Sequence, residues 1–305
     1  MYIFITSGVD ELSLKKRWFR KPICKEIQKR GINFGFQIQG PFSTDLEKIG
    51  FPYGIHLPNN IANDLLAGDR SSEALEVIGR FMSLAPSSMF AVIHGNRIGA
   101  AGEQEYREAF DKLIALLKYL KSLGIPVTLE NTAFTNFLFE EGVWKPETYL
   151  DLRIGSLSQD MLDVRNQAGC DLLVDIEHLA FAANFAKESG LREEASHIYR
   201  VNGEVNLYSE IEAIDAQFYH FAGSYPEGWM EIRDGKVASH APITTDDMHV
   251  MDFLKFAISQ DMKKDGKVVI IPEVSGSDNL CWAGRPKDAQ ETSFENVCQM
   301  VLQLI

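Results

Sequence analysis

Short, continuously apolar runs recur along this chain, and most are followed by a stretch whose apolar positions return every three or four residues. Eight runs stand out, beginning near Tyr2–Thr6, Asn33–Gln39, Tyr53–Leu57, Met89–His94, Pro126–Glu130, Asp171–Asp175, Phe218–Ala222 and Val268–Glu273. A run that is apolar throughout predicts a strand buried on both faces, since a half-exposed strand alternates. The clearest helix lies between Glu103 and Leu123, where Tyr106, Phe110, Leu113, Leu117 and Leu120 share one face and Gly124 ends the pattern. Turn residues announce several strands: Gly31 before the second, Gly124 and Pro126 before the fifth, Gly169 before the sixth, Asp265-Gly266 before the eighth.

Eight strand–helix alternations in 305 residues predict a closed parallel (β/α)₈ TIM barrel, read as a single domain over residues 1–305. An open doubly wound sheet is the rival, but no Gly-x-Gly-x-x-Gly follows the first strand. The connections are uneven. Thr132 to Ser156 is long and aromatic, Ala180 to Gln217 has room for two or three helices, and Trp229 to Val237 reads as a hairpin turned at Asp234-Gly235.

Composition narrows the class. The chain is 45% hydrophobic and 24% charged, ordinary for a globular protein, and no apolar run reaches the ~20 residues of a membrane helix. The amino terminus lacks the pattern of a secretory signal, so a cytoplasmic location is expected. Cys24, Cys170, Cys281 and Cys298 are too scattered for a zinc knuckle or a disulfide framework and read as reduced thiols. A formal charge of −13 argues against a nucleic-acid partner, whose phosphates reward Lys and Arg, and favours a small neutral substrate.

The chemistry gathers where the apolar runs stop. Of seven histidines, His56, His94 and His220 each close a run, and His178 follows Asp175 by three residues. Chance would place roughly half a histidine at strand ends of a barrel this size. Glu130, Asp175 and Glu273 close three further runs. A carboxylate there is costly unless it is paired, hydrogen-bonded or metal-bound, and three sharing one barrel mouth repel without a cation. Imidazole with carboxylate suits Zn²⁺, Mn²⁺, Co²⁺ or Ni²⁺, with Mg²⁺ the harder alternative. His197 and His249 fall in helix-like segments and read as ordinary packing or surface residues.

At these residues the sequence resembles the xylose isomerase-like barrel superfamily, which holds sugar isomerases and epimerases and also the endonuclease IV type of phosphodiesterase. Leu129-Glu-Asn-Thr132, Val174-Asp-Ile-Glu-His178, Phe218-Tyr-His220 and Ile271-Pro-Glu273 carry the resemblance, in order along the chain. In the epimerase-like branch it implies a divalent metal held by Glu130, Asp175, His220 and Glu273, with the two glutamates moving protons and His178 contacting substrate. In the endonuclease-like branch it implies that His56 and His94 join Glu130 around a second metal. A third ion there uses an Asp-x-His pair; this chain has Ala238-Ser-His240, so that Asp is missing, while His240 still matches a late histidine at the mouth.

The expected function is therefore metal-dependent isomerisation or epimerisation of a sugar or polyol. Glu130 and Glu273 are the acid/base groups, and His178, His240, Trp229 and Arg285 touch a carbohydrate substrate. Trp144 and Trp282 are further stacking candidates, although packing beneath a loop is the ordinary role of such residues. The alternative is metal-dependent phosphodiester hydrolysis, to which Arg97 and Arg285 would lend phosphate contacts. A barrel that binds without catalysing is the third reading, since fold alone does not establish function.

Overall fold

Eight strands close into one parallel barrel: β1 (Tyr2–Ser7), β2 (Asn33–Gln39), β3 (Tyr53–His56), β4 (Ala91–His94), β5 (Val127–Glu130), β6 (Asp171–Asp175), β7 (Phe218–Phe221) and β8 (Val269–Pro272). Each pairs with its neighbour in sequence, and β1 closes the ring on β8 through Tyr2 opposite Val269. The computed structural model describes residues 1–8, 10–40, 50–57, 72–95, 102–132, 139–140, 143–144, 152–189, 198–200, 205–224, 228–229, 231–233, 236–238, 240–274 and 289–305.

The strands are shorter than the apolar runs by a residue or two at several ends, because flanking apolar residues such as Phe90 and Val268 stay buried after the ladder has stopped. Around them lie α1 (Leu12–Lys15), α2 (Pro22–Lys29), α3 (Ser72–Leu84), α4 (Glu103–Ser122), α5 (Ser158–Ala168), α6 (Ile176–Ser189), α7 (Leu207–Ile214), α8 (Met248–Lys263) and α9 (Ala289–Leu304). Helix α4 buries Tyr106, Leu113, Ile114, Leu117 and Leu120, and carries Glu103 and Glu105 in its first turn and Lys121 in its last, as the helix dipole favours. Two short antiparallel pairs sit outside the barrel: Glu231–Arg233 with Lys236–Ala238, the hairpin read from sequence, and Phe139–Glu140 with Val143–Trp144 inside the long aromatic connection.

Two cores separate the faces of the sheet. Phe4, Phe90, Val92, Leu173, Phe218, Val269 and Ile271 form one cluster, although they come from strands far apart around the ring. They can meet only across the interior. Alternate residues on the same strands, such as Ile3, Ile5, Ile93, Val174 and Ile270, belong to the larger core between sheet and helices. The interior is therefore plugged by apolar side chains at its lower level. Gly35 and Gly54 also face inward, where a Cβ would overlap the rings of Phe4 and Phe90 respectively.

The same period of two continues upward. Two residues beyond Val92, Leu173, Phe218 and Ile271 stand His94, Asp175, His220 and Glu273. The register keeps this parity around the ring, pairing Thr6 with Gln37, Gln39 with His56, His56 with Val92, His94 with Glu130 and Asp175 with His220. An apolar floor thus carries a polar ring at the carboxyl ends of the strands. No helix among the described residues is long and apolar enough to cross a membrane.

Candidate metal centre

Four strand ends converge on His220. Its Nδ1 lies 3.0 Å from Glu130 Oε1 and 3.0 Å from Glu273 Oε2, and Glu130, Asp175, His220 and Glu273 each offer an atom within 4.8 Å of the others. A second group shares Glu130: His56 Nε2 stands 2.9 Å and His94 Nε2 3.2 Å from its Oε2. His56, His94 and Glu130 form a three-residue cluster on the same distance criterion. All these residues are buried except Glu273, which is partly open to the mouth.

The electrostatics follow from that crowding. Burial by itself pushes Glu130 up, but the charges of His94 and His220, with hydrogen bonds from His220 and His56, hold it well below the usual carboxylate range. Burial pulls His220 down, and Glu130 and Glu273 more than reverse this, raising it well above the ordinary histidine value. Glu273 is lowered from its ordinary value: burial opposes ionisation, and the charge and hydrogen bond of His220 overcome it. The charge of His220 thus offsets those of Glu130 and Glu273. A divalent cation supplies the same balance, and the mixture of imidazole nitrogen and carboxylate oxygen is a set that Zn²⁺, Mn²⁺, Co²⁺ or Ni²⁺ accepts. The donors fit a metal.

Local structure aims each group. Glu273 follows β8 and is tied by its backbone N–H to the Phe221 carbonyl at 2.7 Å. Asp175 ends β6 and, at the start of α6, accepts the backbone N–H of His178 at 3.0 Å. Asn131 joins β5 to β6 there: its Nδ2 donates to the Asp175 carbonyl at 3.0 Å, and its Oδ1 accepts the Asp175 N–H at 2.5 Å. His178, on the first turn of α6, directs Nδ1 to the Asn131 carbonyl at 3.0 Å. His240 sits above the ring in a left-handed conformation (φ 55°), its backbone N–H donating to both oxygens of Glu177, at 2.8 and 3.0 Å. The adjacent Ala241 is latched to the end of β7 by the Gly223 N–H at 2.8 Å.

The structure therefore brings together Glu130, Asp175, His220 and Glu273, sets His56 and His94 against Glu130, and puts His178 and His240 at the rim. Trp229 shows the packing that is the ordinary role of such a residue. Its ring is 3% exposed and packs on α8, 6.1 Å from Phe253 and 6.4 Å from His249. Arg285, Arg97, Trp282, Cys281 and His197 lie outside the described residues, as does the side chain of Trp144. The sequence reading missed Gln37, Gln39, Asn131 and Glu177. Asn131 and Glu177 lay inside motifs already singled out; the glutamines were hidden in a run read only as a strand. A cavity of about 390 Å³ between α4 and α5, lined by Tyr106, Phe110, Arg107 and Arg200 among others, is on the outside of the barrel and holds none of these groups.

No family model matches the sequence, and no curated protein matches it. Solved structures do. A D-psicose 3-epimerase with D-tagatose, from Clostridium cellulolyticum H10, superposes with a TM-score of 0.53 at 10% identity, covering 100% of this chain and 98% of its own. A xylose isomerase domain containing protein from Salmonella typhimurium LT2 gives 0.53 at 13% identity, with 99% and 97% covered. A Thermus thermophilus protein soaked with ZnCl₂ gives 0.51 at 12% identity, with 99% of each chain covered.

Proposed function

This chain has the xylose isomerase-like TIM barrel fold, and from that premise we propose that it is a metal-dependent isomerase or epimerase of a sugar or polyol. The observation that carries the reading is the meeting of Glu130 and Glu273 at His220 Nδ1, each at 3.0 Å, with Asp175 in the same donor set. The sugar epimerases of this fold support the substrate class.

A bound divalent ion at these residues would polarise a carbonyl or adjacent hydroxyl and stabilise the negative charge of an enediolate. The rest is the protein's own work. One glutamate takes the proton from carbon next to the carbonyl and the other returns a proton, on the opposite face for epimerisation. Glu273, partly open to the mouth, is placed to meet substrate directly; Glu130 is enclosed by three imidazoles. The Asn131 carbonyl accepts from His178 Nδ1, which leaves Nε2 for a substrate hydroxyl, and His240 offers a second contact from the rim. The apolar plug beneath keeps bulk water from entering through the barrel. Metal-loaded protein incubated with a panel of ketoses and aldoses in deuterated water should place solvent deuterium on a sugar carbon. No label in any sugar would overturn the reading.

One observation favours a second reading, metal-dependent phosphodiester hydrolysis. His56 and His94 share Glu130 with the first group, and a one-ion epimerase has no need of both. Glu130, common to both groups, would then help hold two ions, and such a pair would supply activation of water and positive charge for a phosphate. The formal charge of −13 and the missing Asp before His240 stand against it. The number of ions per chain separates the two.

A further inference from the structure

Strand β2 contributes no metal donor, yet it sends two amides into the polar ring. Gln37 is fully buried, and its Oε1 lies 2.7 Å from Nε2 of His220. Gln39, two residues on and half-buried, donates from Nε2 to Oε1 of Glu273 at 3.0 Å. In each case the amide meets the atom of the ligand that faces away from the cluster: Nε2 of His220, whose Nδ1 faces Glu130 and Glu273, and Oε1 of Glu273, whose Oε2 faces His220. Packing does not account for Gln37. Its own Nε2 finds no hydrogen-bond partner among the described residues, and a buried unsatisfied amide costs stability that an apolar side chain of the same shape would not.

We propose that Gln37 and Gln39 are positioning residues for the metal centre, Gln37 holding His220 in the tautomer and ring orientation that turns a lone pair on Nδ1 toward the ion, and Gln39 holding Glu273 so that Oε2 faces it. The inference rests on the metal-centre reading. The chemistry is specific about direction. A neutral imidazole has one N–H; an acceptor at Nε2 takes it and leaves Nδ1 free to ligate. His56 is arranged alike, its Nδ1 directed to the Leu57 carbonyl at 3.0 Å while Nε2 faces Glu130. At His220 the side chain of Gln37 takes the place of that carbonyl. The reversed amide would donate to Nε2, force the proton onto Nδ1 and close it to metal.

The test is Co²⁺ binding to the full chain, read by chelator competition and by the visible ligand-field bands, with melting of the metal-free protein as control. Wild-type protein should bind Co²⁺. Gln37→Leu should weaken binding on the order of 10- to 100-fold and shift the bands, without lowering the metal-free melting temperature. Gln37→Glu, which keeps an acceptor and has no donor, should retain the wild-type affinity and bands. Gln39→Leu should weaken binding while leaving the His220 environment in place. If Gln37→Leu binds Co²⁺ within threefold of wild type, or loses it only together with the fold, the positioning role is overturned. If Gln37→Glu fails as badly as Gln37→Leu, the acceptor argument falls. Absence of Co²⁺ binding by the wild type would instead retire the metal centre, and this inference with it.

Discussion

Residue by residue, the site is built from charges that only make sense together. Glu177 and His240 show this most plainly. Burial pulls the His240 imidazole down, but the charge and hydrogen bond of Glu177, with weaker help from Glu273 and Asp175, raise it to about 10. In the unfolded chain the same imidazole titrates near 6.5. The folded value is the higher one, so the stability it adds is fully present below ~6.5 and is lost as pH rises through about 10. Glu177→Gln removes the charge while leaving an oxygen to accept the His240 N–H. Metal-free Glu177→Gln should be less stable than wild type at pH 6.5, and the gap should narrow steadily toward pH 10 in urea titrations. A gap that stays constant across that range would show that His240 is not held by the Glu177 charge. His240 was legible as a mouth residue only through the resemblance, which matches it to a late histidine there. Glu177 was not legible, since a carboxylate on a helix's first turn is ordinary in sequence and only the fold reveals that it is buried beneath His240.

At the scale of elements, the strands were legible for the reason that their inward chemistry was not. A strand apolar on both faces yields a continuous run, easily found; the same continuity hides which residues point inward. His94, Glu130, Asp175 and Glu273 escaped that ambiguity because they end their runs. Gln37 and Gln39 did not, because the run Asn33-Phe-Gly-Phe-Gln-Ile-Gln39 reads as one strand with polar interruptions. Its inward set is Gly35, Gln37 and Gln39, and Gly35 belongs to it for a steric reason. With Gly54 on β3, it leaves room for the phenyl rings that form the floor under the site. At Gly54 the three atoms nearest to an added methyl group all belong to the Phe90 ring, whereas at Gly35 they include the Pro52 carbonyl. Gly54→Ala should therefore destabilise by ~1–3 kcal/mol, the usual penalty of an overpacked core. Adding Phe90→Leu should recover part of the loss, because the smaller side chain yields the space. Denaturant unfolding of the single and double variants decides it; no recovery would mean that the floor does not rely on this glycine–phenylalanine fit.

For the whole molecule, closure of the barrel turns six distant segments into one site. His56 and Glu273 are 217 positions apart in the chain, yet both touch the cluster around Glu130 and His220. That geometry exists only in the folded ring, so an ion held there binds the native state and not the unfolded chain, and its binding energy becomes folding energy. The ordered motifs made this convergence legible before any coordinates, because strand ends of a parallel barrel share one mouth whatever their spacing in sequence. What they left open was the number of ions, since Glu130 belongs to both groups. Thermal melting resolves that at the level of the molecule. Free ion at a hundred times its dissociation constant stabilises by about 2.7 kcal/mol for one site, which raises the melting temperature by several degrees in a chain of this size. In the isomerase reading, metal-stripped protein titrated with Zn²⁺ or Mn²⁺ should gain this stability and keep gaining with the logarithm of free ion at the slope of one bound ion, and elemental analysis should return one ion per chain. A slope of two ions, with two ions per chain by elemental analysis, would place the second on His56, His94 and Glu130 and favour hydrolysis. No rise at any metal concentration would mean that the carboxylates are balanced by protons alone, and that the ring of histidines is a hydrogen-bonded network without a cation.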